Sequence, residues 1–165
     1  MMNDDSVWHN HNFRYLLTII DHFSKYLWVF PLKSRESNLI AESLRTLFNN
    51  GHIPESIHAD NEFRAGNVQT ELNKHGIKFV PSAPYKPHSH GCVERVNRTL
   101  KAMIARHQTM FNDALYVDAL HQIVHNYNHK RHSSHKLTSA QVYNMKPEEI
   151  DKVNKRLHGS GTTIH

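Results

Sequence analysis

The segment from Glu94 to Lys101 combines one carboxylate with an amide and two cations at helical spacing. Glu94, Asn97, Arg98 and Lys101 stand at positions i, i+3, i+4 and i+7, so a helix would carry them on one exposed face. The carboxylate can bind a divalent metal, and the cations can hold a phosphate backbone beyond it. The pattern indicates chemistry on a phosphodiester. The simpler interpretation is a solvated helix face with a Glu94–Arg98 ion pair.

A loop rich in proline and histidine leads directly into this segment. The run from Pro81 to Gly91 holds three prolines, and such an irregular connection beside a polar helix favours a loop that contacts substrate. Tyr85 could stack on a base or contact the backbone of a nucleic acid, and the imidazole of His90 could also contact it. A rigid surface connector is the alternative.

The elements that would position these residues alternate between strand and helix. Two apolar runs, 15–20 and 26–32, are typical of strands joined in a hairpin. Ser37 can cap a helix that ends at Gly51. Strands at 56–59 and 77–80 and helices at 68–75, 92–107 and 114–127 follow, with a last short helix capped by Thr138 or Ser139. This order predicts an α/β fold in which a mixed central sheet is flanked by helices.

Composition narrows the classes of protein. The 165 residues are the length of one domain, and 38% hydrophobic with 21% charged residues is typical of a globular chain. There is no apolar run long enough to span a membrane and no secretory signal. A net charge of +5 is compatible with a nucleic-acid partner. The sixteen histidines suggest either a zinc protein or compositional drift; we favour drift, because the single Cys92 cannot complete a zinc finger.

Several ordered motifs together resemble the catalytic core of retroelement and retroviral integrases. PYKPHSHGCVERVNRTLK looks like the segment around the third acidic residue of that family, and HADNEF looks like the motif of the second. YLLTIIDHFSKYLWVFPLK resembles the second and third strands, and YVDALHQIVHNYNHKRHSS and LTSAQVYN resemble the later helices. The resemblance runs from about Phe13 to Leu157. Within that family, the motifs most resemble those of integrases from Polinton/Maverick and Ginger-like mobile elements.

This resemblance implies an RNase H-like fold and a site with three carboxylates that bind two Mg²⁺ or Mn²⁺ ions. Asp60 would be the second carboxylate and Glu94 the third, both as metal ligands and catalytic residues. It further implies DNA-binding roles for Tyr85, His90, Asn97, Arg98 and Lys101. The expected partners are DNA and further copies of the chain, with no membrane and no small-molecule substrate. The expected location is the nucleus, or the cytoplasm before nuclear entry.

The sequence departs from the family pattern at the first carboxylate. Asp4 and Asp5 lie at a plausible distance before Asp60, but neither sits in an apolar run, as a buried strand should supply. We therefore expect the first ligand to lie upstream of Met1, with Asp4 or Asp5 as alternatives. Asp21 is the least favoured candidate. A catalytically decayed or domesticated nucleic-acid-binding module is the alternative function.

A second departure is the absence of a glycine and one further residue between Asn61 and Glu62. We expect this deletion to distort the turn beside Asp60, because glycine would permit unusual backbone angles there. The domain organisation predicted from the sequence is a remnant of the first strand or a leader at 1–12, an integrase core at 13–145, and a tail or linker at 146–165.

Overall fold

A computed structural model describes residues 10–82, 87–131, 136–146 and 148–152, without the side chains of 87–90. The predicted order of strands and helices is confirmed. The elements are β1 (Tyr15–Ile20), β2 (Leu27–Leu32), α1 (Ser37–Asn49), β3 (Ser56–Ala59), a 3₁₀ helix (Asn61–Arg64), α2 (Gly66–Lys74), β4 (Lys78–Pro81), α3 (Pro87–Phe111), α4 (Leu120–His129) and α5 (Ser139–Tyr143).

Both kinds of strand pairing are present, as expected of a mixed α/β fold. β1 and β2 pair antiparallel, from Tyr15 opposite Leu32 to Ile20 opposite Leu27. β3 and β4 pair parallel, and α2 supplies the crossover between them. Within the described ranges the two pairs are separate two-stranded sheets.

Helices cover both faces of the β1–β2 pair, and the alternation of its side chains shows why. Leu17 and Phe30 are directly opposite one another and pack on the core formed with α1 and α2. Leu16 and Val29 point to the other face and pack on the core formed with α3 and α4. Each strand is therefore hydrophobic on both sides, as a sheet between two helical layers requires.

A tight turn precedes β1. The N–H of Phe13 donates to the carbonyl of Asn10 at 2.9 Å, and the two residues between them, His11 and Asn12, have φ of 54° and 62°. Positive φ at both central positions defines a type I′ turn, the form that joins two antiparallel strands in a hairpin. The chain therefore enters β1 through a hairpin-type turn at Asn10–Phe13.

The side chain of Asn10 fixes this turn to the connection between α3 and α4. Asn10 is fully buried; its Oδ1 accepts from the backbone N–H of Tyr116 at 2.8 Å and of Val117 at 3.2 Å. Its Nδ2 donates to the carbonyl of Ala114 at 3.0 Å. These bonds give partners to the N–H groups of Tyr116 and Val117, while the carbonyl of Ala114 also accepts from Gln108 at 2.8 Å.

The outer edge of β2 is closed by a side chain of α4. Asn128 is 2% exposed, and its Oδ1 accepts from the N–H of Leu27 while its Nδ2 donates to the carbonyl of the same residue, both at 2.9 Å. Farther along the same strand, Pro31 has no N–H to offer. The amide and the proline together protect this edge from pairing with another chain.

Replacing Asn128 with alanine is expected to lower the free energy of unfolding by about 3 kcal/mol, because two buried backbone groups of Leu27 lose their partners. Urea denaturation followed by tryptophan fluorescence measures the change. Asn126→Ala is the matched control: this exposed residue of the same helix bonds only to Gln122 among the described residues, so its loss should be within about 0.5 kcal/mol. Equal losses for the two variants would contradict the proposed role of Asn128.

A buried carboxylate joins α1 to α2. Glu71 is 3% exposed and accepts hydrogen bonds from Arg45 at 3.1 and 3.2 Å and from Lys74 at 3.4 Å. The hydrogen bonds from Arg45 lower the pKa of this carboxyl against the opposing effect of burial, and Lys74 lowers it further. Glu71 is thus held ionised as a structural anchor.

Several helix boundaries differ from the sequence-based prediction. α3 begins at Pro87 rather than Cys92 and continues to Phe111 rather than His107. Proline is favoured in the first turn of a helix because its missing N–H is not needed there. Ser37 does not cap α1, since Glu36 occupies the N-cap position. The helix predicted at 114–127 begins only at Leu120, because Asn10 binds the backbone of the preceding residues.

Candidate active site

Asp60 stands directly after β3, where the chain leaves the sheet. It is the N-cap of the 3₁₀ helix, and its Oδ1 accepts from the N–H of Glu62 at 3.2 Å. The Asp60 side chain is exposed, and its second oxygen has no partner among the described residues. The shortened motif forms a compact turn in which no positive φ occurs, so this turn does not need the backbone freedom of a glycine. Glu62 on this turn forms an ion pair with Arg35.

Glu94 lies on the exposed face of α3 beyond the buried Cys92. In the described part of the chain its carboxylate has neither a hydrogen bond nor an ion pair, although Arg98 is one turn away. The alternative interpretation of a Glu94–Arg98 pair is therefore not what the structure shows. A solvated, unpaired carboxylate keeps both oxygens free for a ligand.

The face that follows Glu94 is cationic. Arg98 and Lys101 are exposed, as predicted, and so are Arg95 and Arg106, which the sequence analysis did not single out. No carboxylate follows Glu94 on this helix. At a rise of about 1.5 Å per residue, the stretch from Arg95 to Arg106 presents positive charge over roughly 16 Å. Such a strip can track the phosphates of a nucleic acid.

Asn97 does not share the exposed face, and the prediction of a four-residue exposed face is wrong at this position. Asn97 is half-buried, and its Oδ1 accepts a hydrogen bond from the hydroxyl of Thr18 at 3.0 Å. The reason is that β1 packs against this side of α3, one residue beyond the buried Val96. The bond holds the helix turn that begins at Glu94 against the centre of β1.

Two packing contacts fix the rest of α3. Leu100 and Ile104 are buried against Tyr116, Leu120 and Ile123. In the same helical layer, burial raises the pKa of the Tyr127 hydroxyl, and the nearby Cys92 thiol raises it further. Glu94 is therefore presented from a helix anchored to both β1 and α4.

Some of the predicted site residues lie outside the part of the chain that the structure describes. Asp4, Asp5 and Tyr85 lie in residues that the structure does not describe, and for His90 only the helical backbone is described. Asp21, the least favoured candidate for the first carboxylate, has another role: its Oδ2 accepts from the N–H and the hydroxyl of Ser24 at 2.7 and 2.6 Å. It closes the turn between β1 and β2.

The chemistry of Asp60 and Glu94 suits a hard divalent cation. Both are exposed carboxylates with free oxygens, the ligands that Mg²⁺ and Mn²⁺ prefer. Across the described ranges, however, no group of three or more His, Cys, Asp or Glu side chains is arranged to hold a metal ion. The described residues thus supply two oxygen ligands of the expected kind and not a complete site. No helix in the described ranges is both long and apolar enough to cross a membrane.

Comparison with known families decides the assignment. The integrase core domain family matches residues 4–87, just over half of the chain, and a second family of the same description matches residues 75–138. This chain belongs to the integrase core domain family. Integrase cores act in DNA integration and are found in transposable elements and retroviruses. The match over residues 4–87 includes Asp60, and the match over residues 75–138 includes Glu94.

Individual relatives agree with that assignment. A putative uncharacterized transposon-derived protein of Caenorhabditis elegans is 36% identical over 123 residues, which are 72% of this integrase core and 42% of the relative. The chain therefore spans less than half of the length of this curated relative.

Solved structures show that the fold is RNase H-like. A chain of the simian T-cell lymphotropic virus intasome, solved in complex with PP2A regulatory subunit B56 gamma, superposes with a TM-score of 0.74 at 23% identity, covering 80% of this chain and 49% of that one. The HTLV-2 integrase catalytic core domain, solved with magnesium in a trimeric form, superposes with a TM-score of 0.66 at 20% identity, covering 76% and 82%.

Proposed function

We propose that this integrase core performs metal-dependent DNA strand transfer, with Asp60 and Glu94 as metal ligands. The observation that carries the proposal is the unpaired, exposed carboxylate of Glu94 at one end of a cationic helix face. Glu71, which has a structural role, is paired with Arg45, whereas Glu94 has no partner among the described residues. The magnesium bound by the HTLV-2 core supports the same class of cation.

Asp4 or Asp5 is the first carboxylate that this proposal tests, and a residue upstream of Met1 remains the alternative. The support is the type I′ turn at Asn10–Phe13, a turn of the kind found in hairpins. The family match also begins at residue 4. Neighbouring residues of a strand point to opposite faces of the sheet. Only one of the two aspartates would therefore share the face on which Thr18 meets α3.

The proposed reaction is an in-line displacement at phosphorus. A 3′-hydroxyl or a water molecule forms a new P–O bond, and the bond to the departing 3′-oxygen breaks, with that oxygen taking up a proton. When bound, Mg²⁺ or Mn²⁺ would supply activation of the attacking oxygen and stabilisation of the departing one. Arg98 and Lys101 would hold the DNA backbone, and the Thr18–Asn97 bond would keep Glu94 in position.

Assembly and origin are parts of the same proposal. The neighbouring structures are an intasome and a trimeric core, which supports DNA binding and homo-oligomerisation for this chain, with Tyr85 and His90 as further DNA contacts. The transposon-derived relative supports an origin in a mobile element, and the sequence motifs are the basis for proposing the Polinton or Ginger kind. Reaction with chromosomal DNA implies a nuclear location.

An assay on a branched DNA substrate that mimics an integrated end tests the proposal, because rejoining its strands is strand transfer in reverse and needs only one DNA molecule. We expect joined products with Mn²⁺ or Mg²⁺ and none with EDTA. Shorter fragments without joined products would indicate hydrolysis instead, and absence of both would contradict the proposal.

A decayed, DNA-binding module is the second candidate, and the motif after Asp60, two residues shorter than the family pattern, favours it. It predicts binding to DNA without metal-dependent products.

For either function, the affinity for DNA should fall as the salt concentration rises. Arg98→Ala should reduce the slope of log K against the logarithm of the salt concentration by about 0.9. An affinity that does not depend on salt would contradict a phosphate-contacting helix face.

A further inference from the structure

Three histidines on α4 have no part in the proposed reaction. His121, His125 and His129 are all exposed and stand four residues apart. Residues at this spacing are neighbours on one face of a helix. Sequence composition alone attributed the histidines to drift, but their arrangement on α4 distinguishes these three from the others.

The rings of His125 and His129 already lie face to face. Their centroids are 3.9 Å apart with planes inclined by 21°. A zinc–nitrogen bond is about 2.0–2.1 Å long, so one ion can join two nitrogens up to about 4 Å apart. Two histidines at i and i+4 on one helix face can bind one zinc ion. Because stacked rings direct their nitrogen lone pairs along parallel planes, the exposed ring of His125 must rotate to bring its nitrogen to an ion bound by His129.

The hydrogen bond of His129 fixes which ring nitrogen is free. Nδ1 of His129 lies 2.9 Å from the carbonyl oxygen of His125. Because a carbonyl oxygen only accepts, Nδ1 must carry the proton, and in the neutral ring Nε2 then presents its lone pair. Histidines that bind metals commonly donate their other N–H to a carbonyl in this way.

The residues around the rings of His125 and His129 indicate which class of metal ion could bind there. His52, His121, His125 and His129 line one groove of about 450 Å³ between β2 and α4, and none of its lining residues is a carboxylate. Imidazoles without carboxylates favour Zn²⁺, Ni²⁺ or Cu²⁺ over Mg²⁺. The bonds of Asn128 to Leu27 hold this turn of α4 on β2, so the backbone that carries both rings is already ordered.

We propose that His125 and His129 form a two-imidazole chelate for a zinc-class divalent ion, separate from the carboxylate site. No third ligand is arranged nearby in the described ranges, so water would complete the coordination. The exposed cations Lys130 and Arg131 follow directly and keep the affinity modest by repulsion. The proposal does not depend on the strand-transfer function.

The test uses the full chain labelled with ¹⁵N-histidine and titrated with zinc chloride. Long-range ¹H–¹⁵N spectra report each ring nitrogen. We expect the Nε2 signals of His125 and His129 to shift at lower zinc concentrations than those of the other histidines, and magnesium chloride to have no such effect. His125→Gln and His129→Gln should each abolish this early step. His121→Gln is the matched control and should retain it, because His121 has no ring contact with His125 among the described residues.

The order of the shifts in the unmodified protein decides the proposal even if a variant fails to fold. Simultaneous shifts of all observed histidines would overturn it, as would an early step that persists unchanged in a folded His129→Gln variant.

Discussion

Replacing Glu94 with glutamine is expected to lower Mn²⁺-dependent joining of DNA by at least about 10²-fold. Loss of even an outer partner of a metal ligand costs about 10- to 100-fold, and this substitution removes the charge of a proposed ligand itself. The side chain of Glu94 has no partner in the described residues, so the fold should be unaffected. Quantified joined products of the branched substrate, at saturating Mn²⁺, measure the effect.

Glu42→Gln is the matched control for this prediction. Glu42 is also an exposed glutamate on a helix, and Thr46 donates to its backbone carbonyl rather than to its carboxylate. Its replacement should leave joining near the level of the unmodified chain. If Glu94→Gln retained activity comparable to that of Glu42→Gln, Glu94 would not be a metal ligand.

Of the substitutions Asp4→Asn and Asp5→Asn, one is expected to lower joining as strongly as Glu94→Gln and the other to leave it nearly unchanged. The physical reason is the alternation of side chains along a strand, combined with the hairpin turn at Asn10–Phe13. The same assay on both variants, with their folding checked by circular dichroism, provides the measurement.

The pattern of the two results distinguishes the alternatives. Strong loss in both variants would mean that alternation does not govern the segment, and the proposed strand pairing would be wrong. If each variant joined DNA as well as the unmodified chain does, the first carboxylate would lie elsewhere. A double variant that retains joining would confirm that second conclusion.

Local periodicity predicted much of the structure. The apolar stripe of α1 reappears as the buried residues Ile40, Leu44, Leu47 and Phe48. Thr138 caps α5 through a reciprocal pair of bonds with Gln141. Such features depend on residues within a turn or two of one another, and the sequence displays them directly.

Long-range hydrogen bonds could not be predicted in the same way. Asn97 bonds to Thr18, 79 positions away, and Asn10 and Asn128 bond to backbone groups more than 100 positions away. An asparagine on a helix face looks the same in the sequence whether it faces solvent or a strand. Its partner is determined by packing, and this is why Asn97 was assigned to the exposed face.

Part of the candidate site was predictable from local spacing, and part of it depends on contacts between distant segments. Glu94 and the cations after it follow from helical spacing within one segment. Asp60 required the family resemblance, because a single aspartate after a short strand is also a common helix cap, and it does cap the 3₁₀ helix. Whether the two carboxylates share an ion depends on the packing of β3 relative to α3, which no local pattern encodes.

Paramagnetic broadening by Mn²⁺ tests the central claim most directly. In the ¹⁵N-labelled chain, the amide signals around Asp60 and those around Glu94 should broaden together at the same Mn²⁺ concentration, and Asp60→Asn should weaken both. Broadening of one group alone, or of the two groups at unrelated concentrations, would show that these carboxylates do not bind a common ion and would contradict the account.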